Sequence, residues 1–195
     1  MRFTTMLTRM FALVGAGALV VALAGCAGPA PAGPNTEHNN ADISFAQQMI
    51  PHHQQALLMA EMGVKRAASE PVKQLVAAIR RDQQPEIDQM TGMLLSWHAP
   101  VLATGGQPDM PGMAGMSGMP GMMGDDEMRQ LGQLTGAAFD KQFLTMMITH
   151  HQGAVDMSAV ELRDGQSPPA KQLARRITDA QNAQISQMRG LLATG

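Results

Sequence analysis

The 195-residue chain has one cysteine, Cys26, no tyrosine, one tryptophan, Trp97, and five phenylalanines. A lone cysteine excludes an internal disulfide and a thiolate metal cluster. It lies at the end of the leader described below, so the folded part has no cysteine nucleophile. With aromatics at 3%, no platform for stacking bases or sugars is visible. Charged residues make up 15% and form no basic cluster, which argues against nucleic acid as a partner. No Glu-x-x-His occurs. Di-iron oxidases built on helical bundles want that motif on two helices, plus two further glutamates. No nucleophilic triad and no phosphate-cradling glycine loop is recognisable.

The first 25 residues have the grammar of a secretory leader. Arg2 and Arg9 supply the positive start, and Phe11 to Leu23 is an uncharged apolar run. That run is too short to span a bilayer as a mature helix. Leu23-Ala24-Gly25-Cys26 has the form of a bacterial lipobox, which predicts lipidation of Cys26 and a membrane anchor outside the cytoplasm. Without the two leader arginines, 12 basic side chains face 16 acidic ones. Residues 26–40 are rich in Pro, Ala, Gly and Asn and read as a flexible tether. Residues 41–195 are long enough for one domain with a real core.

Within that domain the chain repeats itself. A shift of 98 residues places Asp42 on Asp140, Phe45 on Phe143 and Met49 on Met147. It places His52-His53-Gln54 on His150-His151-Gln152, Ala56 on Ala154 and Met59 on Met157. It continues without a gap through Gln83 and Gln181, Ile87 and Ile185, and Leu94 and Leu192. This is an internal duplication, with unit one at 41–98 and unit two at 125–195.

Each unit reads as a helical hairpin. Residues 45, 46, 49, 50, 53, 56, 57, 60 and 64 form the apolar stripe of a helix from Asp42 to Arg66, capped by Asp42 or Asn40. Gln47, Gln48, Gln54, Gln55 and Pro51 fall on its other half. Glu70-Pro71 opens a second helix. Gln83 and Glu86 interrupt its stripe, and Pro85 predicts a bend. In unit two, one helix from about Asp126 to Arg163 carries the second His-His pair. Ser167-Pro168 opens the last helix, with Gln181 and Gln184 at the matching positions. Between the units, residues 103–124 carry Met110, Met113, Met116, Met119, Met122 and Met123 among Gly and Pro, which forbid a stable helix. The expected fold is all-α: a four-helix bundle of two duplicated hairpins joined by a Met/Gly/Pro-rich loop.

The candidate chemistry is soft-metal binding. Met49 precedes His52 by three residues and His53 by four, so the three share a helix face. Met59 follows two turns after His52. Met147, His150, His151 and Met157 repeat the set. Imidazole nitrogen with thioether sulfur suits Cu(I), and Ag(I) by similar softness. The loop methionines offer a second, flexible set of sulfurs. Ordering that loop costs entropy, so its affinity should be modest. Gln83, Glu86, Gln181 and Gln184 are candidates to orient the imidazoles. If the histidines only pack, Gln83 and Gln181 are the expected partners of His53 and His151.

The two copies of M-x-x-H-H-Q, each followed by Ala and then Met at fixed offsets, resemble the family called domain of unknown function 305. The resemblance covers about Asn39 to Leu192. It implies a ferritin-like four-helix bundle, and some members are associated with copper binding and tolerance outside the cytoplasm. The family often has an acidic residue where this chain has Leu58, whereas Asp156 keeps it in unit two. The reading that follows is a lipid-anchored copper buffer or chaperone on the outer face of the cell membrane, or in the periplasm. The alternatives are an interaction lipoprotein whose histidines pack in the core, and a di-iron oxidase.

Overall fold

The computed structural model describes residues 37–101 and 118–194. The leader, Cys26, most of the tether, Met110, Met113 and Met116 lie outside the described residues. The described chain contains five α-helices and no strand: α1 (Asn40–Arg66), α2 (Glu70–Ser96), α3 (Asp125–Gln133), α4 (Gly136–Asp164) and α5 (Pro168–Thr194). Among the described residues, no helix is long and apolar enough to cross a membrane.

The duplication is visible in the helix ends. Moving α1 and α2 by 98 residues lands on α4 and α5, apart from two extra residues at the start of α4. Helix α1 packs on α2, α4 on α5, and α1 on α4, with a slighter contact between α2 and α5. Asp42 and Asp140 set the direction of the α1–α4 contact. Asp42, at the start of α1, accepts from the Gln166 and Ser167 amides at the α4–α5 link. Asp140, at the start of α4, accepts from the Ala68 and Ser69 amides at the α1–α2 link. Each pair is the other shifted by 98 residues, so α1 and α4 run antiparallel about a pseudo-twofold axis. Each carboxylate also satisfies amides that open the following helix, where no intrahelical acceptor exists.

The cap of α1 is Asn39, not Asp42 or Asn40. The Asn39 side chain accepts from the Ala41 and Asp42 amides, and Asp42 reaches back to the Asn39 amide. Three-residue reciprocity of this kind leaves Asp42 free to serve α5 as well. Both α1 and α2 run on through Pro51 and Pro85.

The single helix expected from Asp126 to Arg163 is two helices. Leu134 and Thr135 break it. Helix α3 is amphipathic; it buries Leu131 fully, and Met128 and Leu134 pack beside it on the core.

The core forms two apolar clusters. One gathers Phe45, Met49, Ile50, Ile87, Met90, Leu94, Met157, Leu173 and Ile177. The other gathers Met59, Leu75, Val76, Ile79, Leu131, Phe139, Phe143, Met147, Ile185 and Met188. On every long helix a polar pair lies between the two clusters: His52 and His53, Gln83 and Glu86, His150 and His151, Gln181 and Gln184. One polar layer therefore crosses the middle of the bundle between the two apolar clusters.

Candidate metal centre

All four paired histidines are buried, at 0 to 1% exposure. That corrects the helical-wheel expectation for unit one, which placed only His53 on the apolar stripe. His52 faces α4 and meets its own repeat partner: the His52 and His150 ring centroids lie 3.8 Å apart. The His52–His53 and His150–His151 centroids are each separated by 6.4 Å. Four imidazoles thus share the polar layer, with the pseudo-twofold axis passing between His52 and His150.

Three of the rings are held at Nε2. His53 contacts a Glu86 carboxylate oxygen at 2.7 Å. His151 donates to the Gln184 amide oxygen at 2.6 Å, and His52 donates to the Pro120 carbonyl at 3.1 Å. A carbonyl or amide oxygen only accepts, so it fixes the proton on Nε2 and leaves the Nδ1 lone pair. Asp82 sets the Gln184 amide the right way round by accepting from its nitrogen at 3.3 Å. The partners of His53 and His151 are therefore Glu86 and Gln184, one turn beyond the expected Gln83 and Gln181. Gln83 is buried and neither of its amide atoms has a protein partner; Gln181 Oε1 is likewise unpartnered.

What remains is a set of orphaned nitrogens. Nδ1 of His52, His53, His150 and His151 is buried without a hydrogen-bond partner, and so is His150 Nε2. Buried polar atoms normally find a partner, and leaving one unmade costs about 1–3 kcal/mol. A metal ion would satisfy them. Burial pushes the His52 imidazole down to about 3, helped by the charge of neighbouring His53. Burial pushes His151 down to about 4, against the Gln184 hydrogen bond, and His150 well below the ordinary histidine value. These rings are neutral at physiological pH and keep lone pairs available as ligands.

Nitrogen and carboxylate alone do not close a site. Among the described residues, no three His, Cys, Asp or Glu side chains converge as a metal-holding set. Met49 and Met147 are fully buried, as is Met59, while Met157 is 8% exposed. Met49 and Met157 belong to the cluster on one side of the polar layer, Met59 and Met147 to the cluster on the other. Of these four sulfurs, each side thus holds one from each unit.

Sequence reasoning missed two polar residues here. Gln55 was assigned to the solvent face, yet it is buried and clasps the Met123 peptide. Its amide donates to the Met123 carbonyl and accepts from the Met123 amide, both at 2.8 Å. Pro51 is buried on the same face. Glu161 is fully buried in α4 with both carboxyl oxygens unpartnered. Its pKa is raised to about 8, first by burial and then by Asp42 beside it. Its repeat counterpart is Gly63, and the duplication pattern marks that mismatch.

Comparison with known proteins places the chain. The model of the family described as domain of unknown function 305 matches residues 42–192, and the chain belongs to that family. Two solved relatives carry the same family description. One, from Streptomyces coelicolor, is described as a candidate secreted protein; it is 34% identical, with a TM-score of 0.69 over 79% of this chain and 91% of its own. The other, a fragment from Deinococcus radiodurans, is 34% identical, with a TM-score of 0.68 over 80% of this chain and 98% of its own. The chain is also similar to CopM in its Cu(I)-bound form, at 32% identity and a TM-score of 0.64, covering 78% of this chain and 96% of that one. CopM has further been solved with Ag, with Cu(II) and as the apo protein. No curated protein matches the chain significantly.

Proposed function

We propose that this protein is an extracytoplasmic, lipid-anchored copper-binding protein that takes Cu(I), with Ag(I) as a close mimic, into a ferritin-like four-helix bundle. Its task on this reading is copper buffering, tolerance or delivery to another copper-handling protein. The observation that carries it is the polar layer. Four buried imidazoles present partnerless Nδ1 atoms, and Met49, Met59, Met147 and Met157 flank them. Glu86, Gln184 and the Pro120 carbonyl hold the other nitrogen and so aim the lone pairs. The likeness to CopM, solved with Cu(I), Cu(II) and Ag, supports the choice of metal. The candidate secreted relative and the lipobox at Cys26 support the location.

The test is His52→Leu combined with His150→Leu, studied by Cu(I) competition titration and by melts with and without metal. Metal that binds only the folded state at a hundredfold excess over Kd stabilises by about 2.7 kcal/mol, or roughly 5–10 °C in a domain of this size. That rise is expected in the parent and absent in the double variant. An equal rise in both proteins would overturn the assignment.

A further inference from the structure

The pseudo-twofold arrangement is broken on one face, where residues 118–124 cross the bundle. Three contacts seat this strap. Gln55 on α1 grips both polar atoms of the Met123 peptide. Pro120 gives its carbonyl to His52. Gly153 on α4 lies beneath: a Cβ there would meet the Pro120 carbonyl oxygen at 2.0 Å and the Gly121 Cα at 2.9 Å. Gly121 itself has φ +75° and sits against the Thr149 and His150 carbonyls, where a Cβ would come within 2.6 and 2.9 Å. Gln55 and Gly153 occupy the same position in the two repeats. One copy grips the strap and the other makes room for it.

The strap carries chemistry into the core. The Met123 side chain is 7% exposed and belongs to the buried cluster that holds Met59 and Met147. Met119 and Met122 sit half-buried just before it. We propose that Gln55 and Gly153 are positioning residues that fix this strap over the histidine pair, so that Met123 supplies an additional sulfur ligand to the same metal centre. The end of the methionine-rich segment and the His-Met centre are then one site rather than two. The Pro120 carbonyl adds a second role, since it holds the proton on His52 Nε2 and directs Nδ1 to the metal.

This inference rests on the proposed metal centre, and its test separates the two. The full chain, with methionine methyls labelled, is titrated with Ag(I), a redox-inert probe, and followed by NMR. Met123 methyl and His52 ring signals are expected to shift together at the first equivalent. Gly153→Ala drives the strap off its seat while replacing glycine by a better helix former inside α4. It is expected to weaken Ag(I) binding about tenfold, the lower end of what loss of a ligand-orienting partner does. The Met123 methyl should no longer respond and the imidazoles still should. Gln55→Leu, which leaves the Met123 peptide unpaired, should behave the same way. Imidazole signals that shift while Met123 stays silent in the parent would overturn the strap alone. Unchanged affinity in Gly153→Ala with the same methyl shifts would also overturn it. Imidazoles that do not respond at all would overturn the metal centre and the strap together.

Discussion

The buried imidazoles make a quantitative demand on the metal-free protein: it should be acid-labile well above the carboxylate range. His52, His150 and His151 have folded pKa values depressed from 6.5, to about 3 and about 4 for His52 and His151. The unfolded chain therefore binds more protons than the folded one once pH drops below 6.5. Stability is present above that value and is lost as pH falls toward the folded values. His52 and His151 each contribute about 1.4 kcal/mol per pH unit, hence about 2 kcal/mol between pH 6.5 and 5, and His150 acts in the same direction. Glu161 works in the opposite sense. Its folded pKa of about 8 lies above the ordinary 4.5, so its contribution is complete below pH 4.5 and is lost as pH rises to 8. Across pH 6.5 to 5 it offsets about one imidazole, leaving a net loss of at least about 2 kcal/mol, to which His150 adds. At roughly 2–4 °C per kcal/mol in a domain of this size, the melting temperature should fall by at least about 4–8 °C. At pH 6.5 the half-protonated unfolded imidazoles together already outweigh Glu161, so stability should peak just below about pH 7. The assay is thermal melting by circular dichroism from pH 8 to 4.5 on the lipid-free, metal-free domain. Glu161→Gln should abolish the decline above about pH 7 and steepen the fall below it. His150→Leu should shallow the acid fall, since it removes one of the three rings whose pKa burial depresses. A melting temperature that is flat from pH 7 to 5 in the parent would refute the reasoning. So would an acid slope that His150→Leu leaves unchanged.

Two further outcomes are expected. Asp140→Ala removes the acceptor for the Ala68 and Ser69 amides; it should lower unfolding free energy by about 1–2 kcal/mol in urea titrations, with metal stoichiometry unchanged. Cys26→Ser should move the protein from the membrane fraction to the medium or block its processing, as followed by fractionation and mass spectrometry. A variant that stays membrane-bound and fully processed would remove the lipid anchor.

The sequence made the architecture legible because the 98-residue shift carried helix ends and apolar positions together. Asp42 and Asp140 aligned in that shift, but their shared task did not show, because each serves amides far away in sequence. The His–His motif was legible as a pair. The facing of His52 was not, because a helical wheel describes one helix against one core, and α1 packs on both α2 and α4. Gln55 failed for a related reason. It lies off the apolar stripe, and only the returning chain at Met123 buries it. The imidazole partners were found as a set but paired wrongly: Gln83 and Glu86 are three residues apart, and one turn decides which reaches the ring. Helix α3 escaped notice because its nine residues have one fully buried side chain and run into α4 across a two-residue break.

The same comparison of repeats explains why the site is one-sided. Two identical units about a twofold axis would offer two identical faces across the polar layer. The described end of the α2–α3 link, residues 118–124, crosses one face. Whichever unit lies under the crossing must yield space, and the other must supply the grip. Gly153 and Gln55 fit those two demands, and neither residue would serve in the other's place. Glycine at position 55 would leave the Met123 peptide unpaired. Glutamine at position 153 would collide with Pro120. The polar layer diverges in step: Glu86 brings a carboxylate to His53, whereas Gln184 brings a neutral amide to His151 and needs Asp82 to orient it. The layer therefore has unequal halves, with the carboxylate partner and the covered imidazole both supplied by unit one. The asymmetry follows from duplication within one chain, and it gives the two histidine pairs distinct chemistry despite identical local sequence.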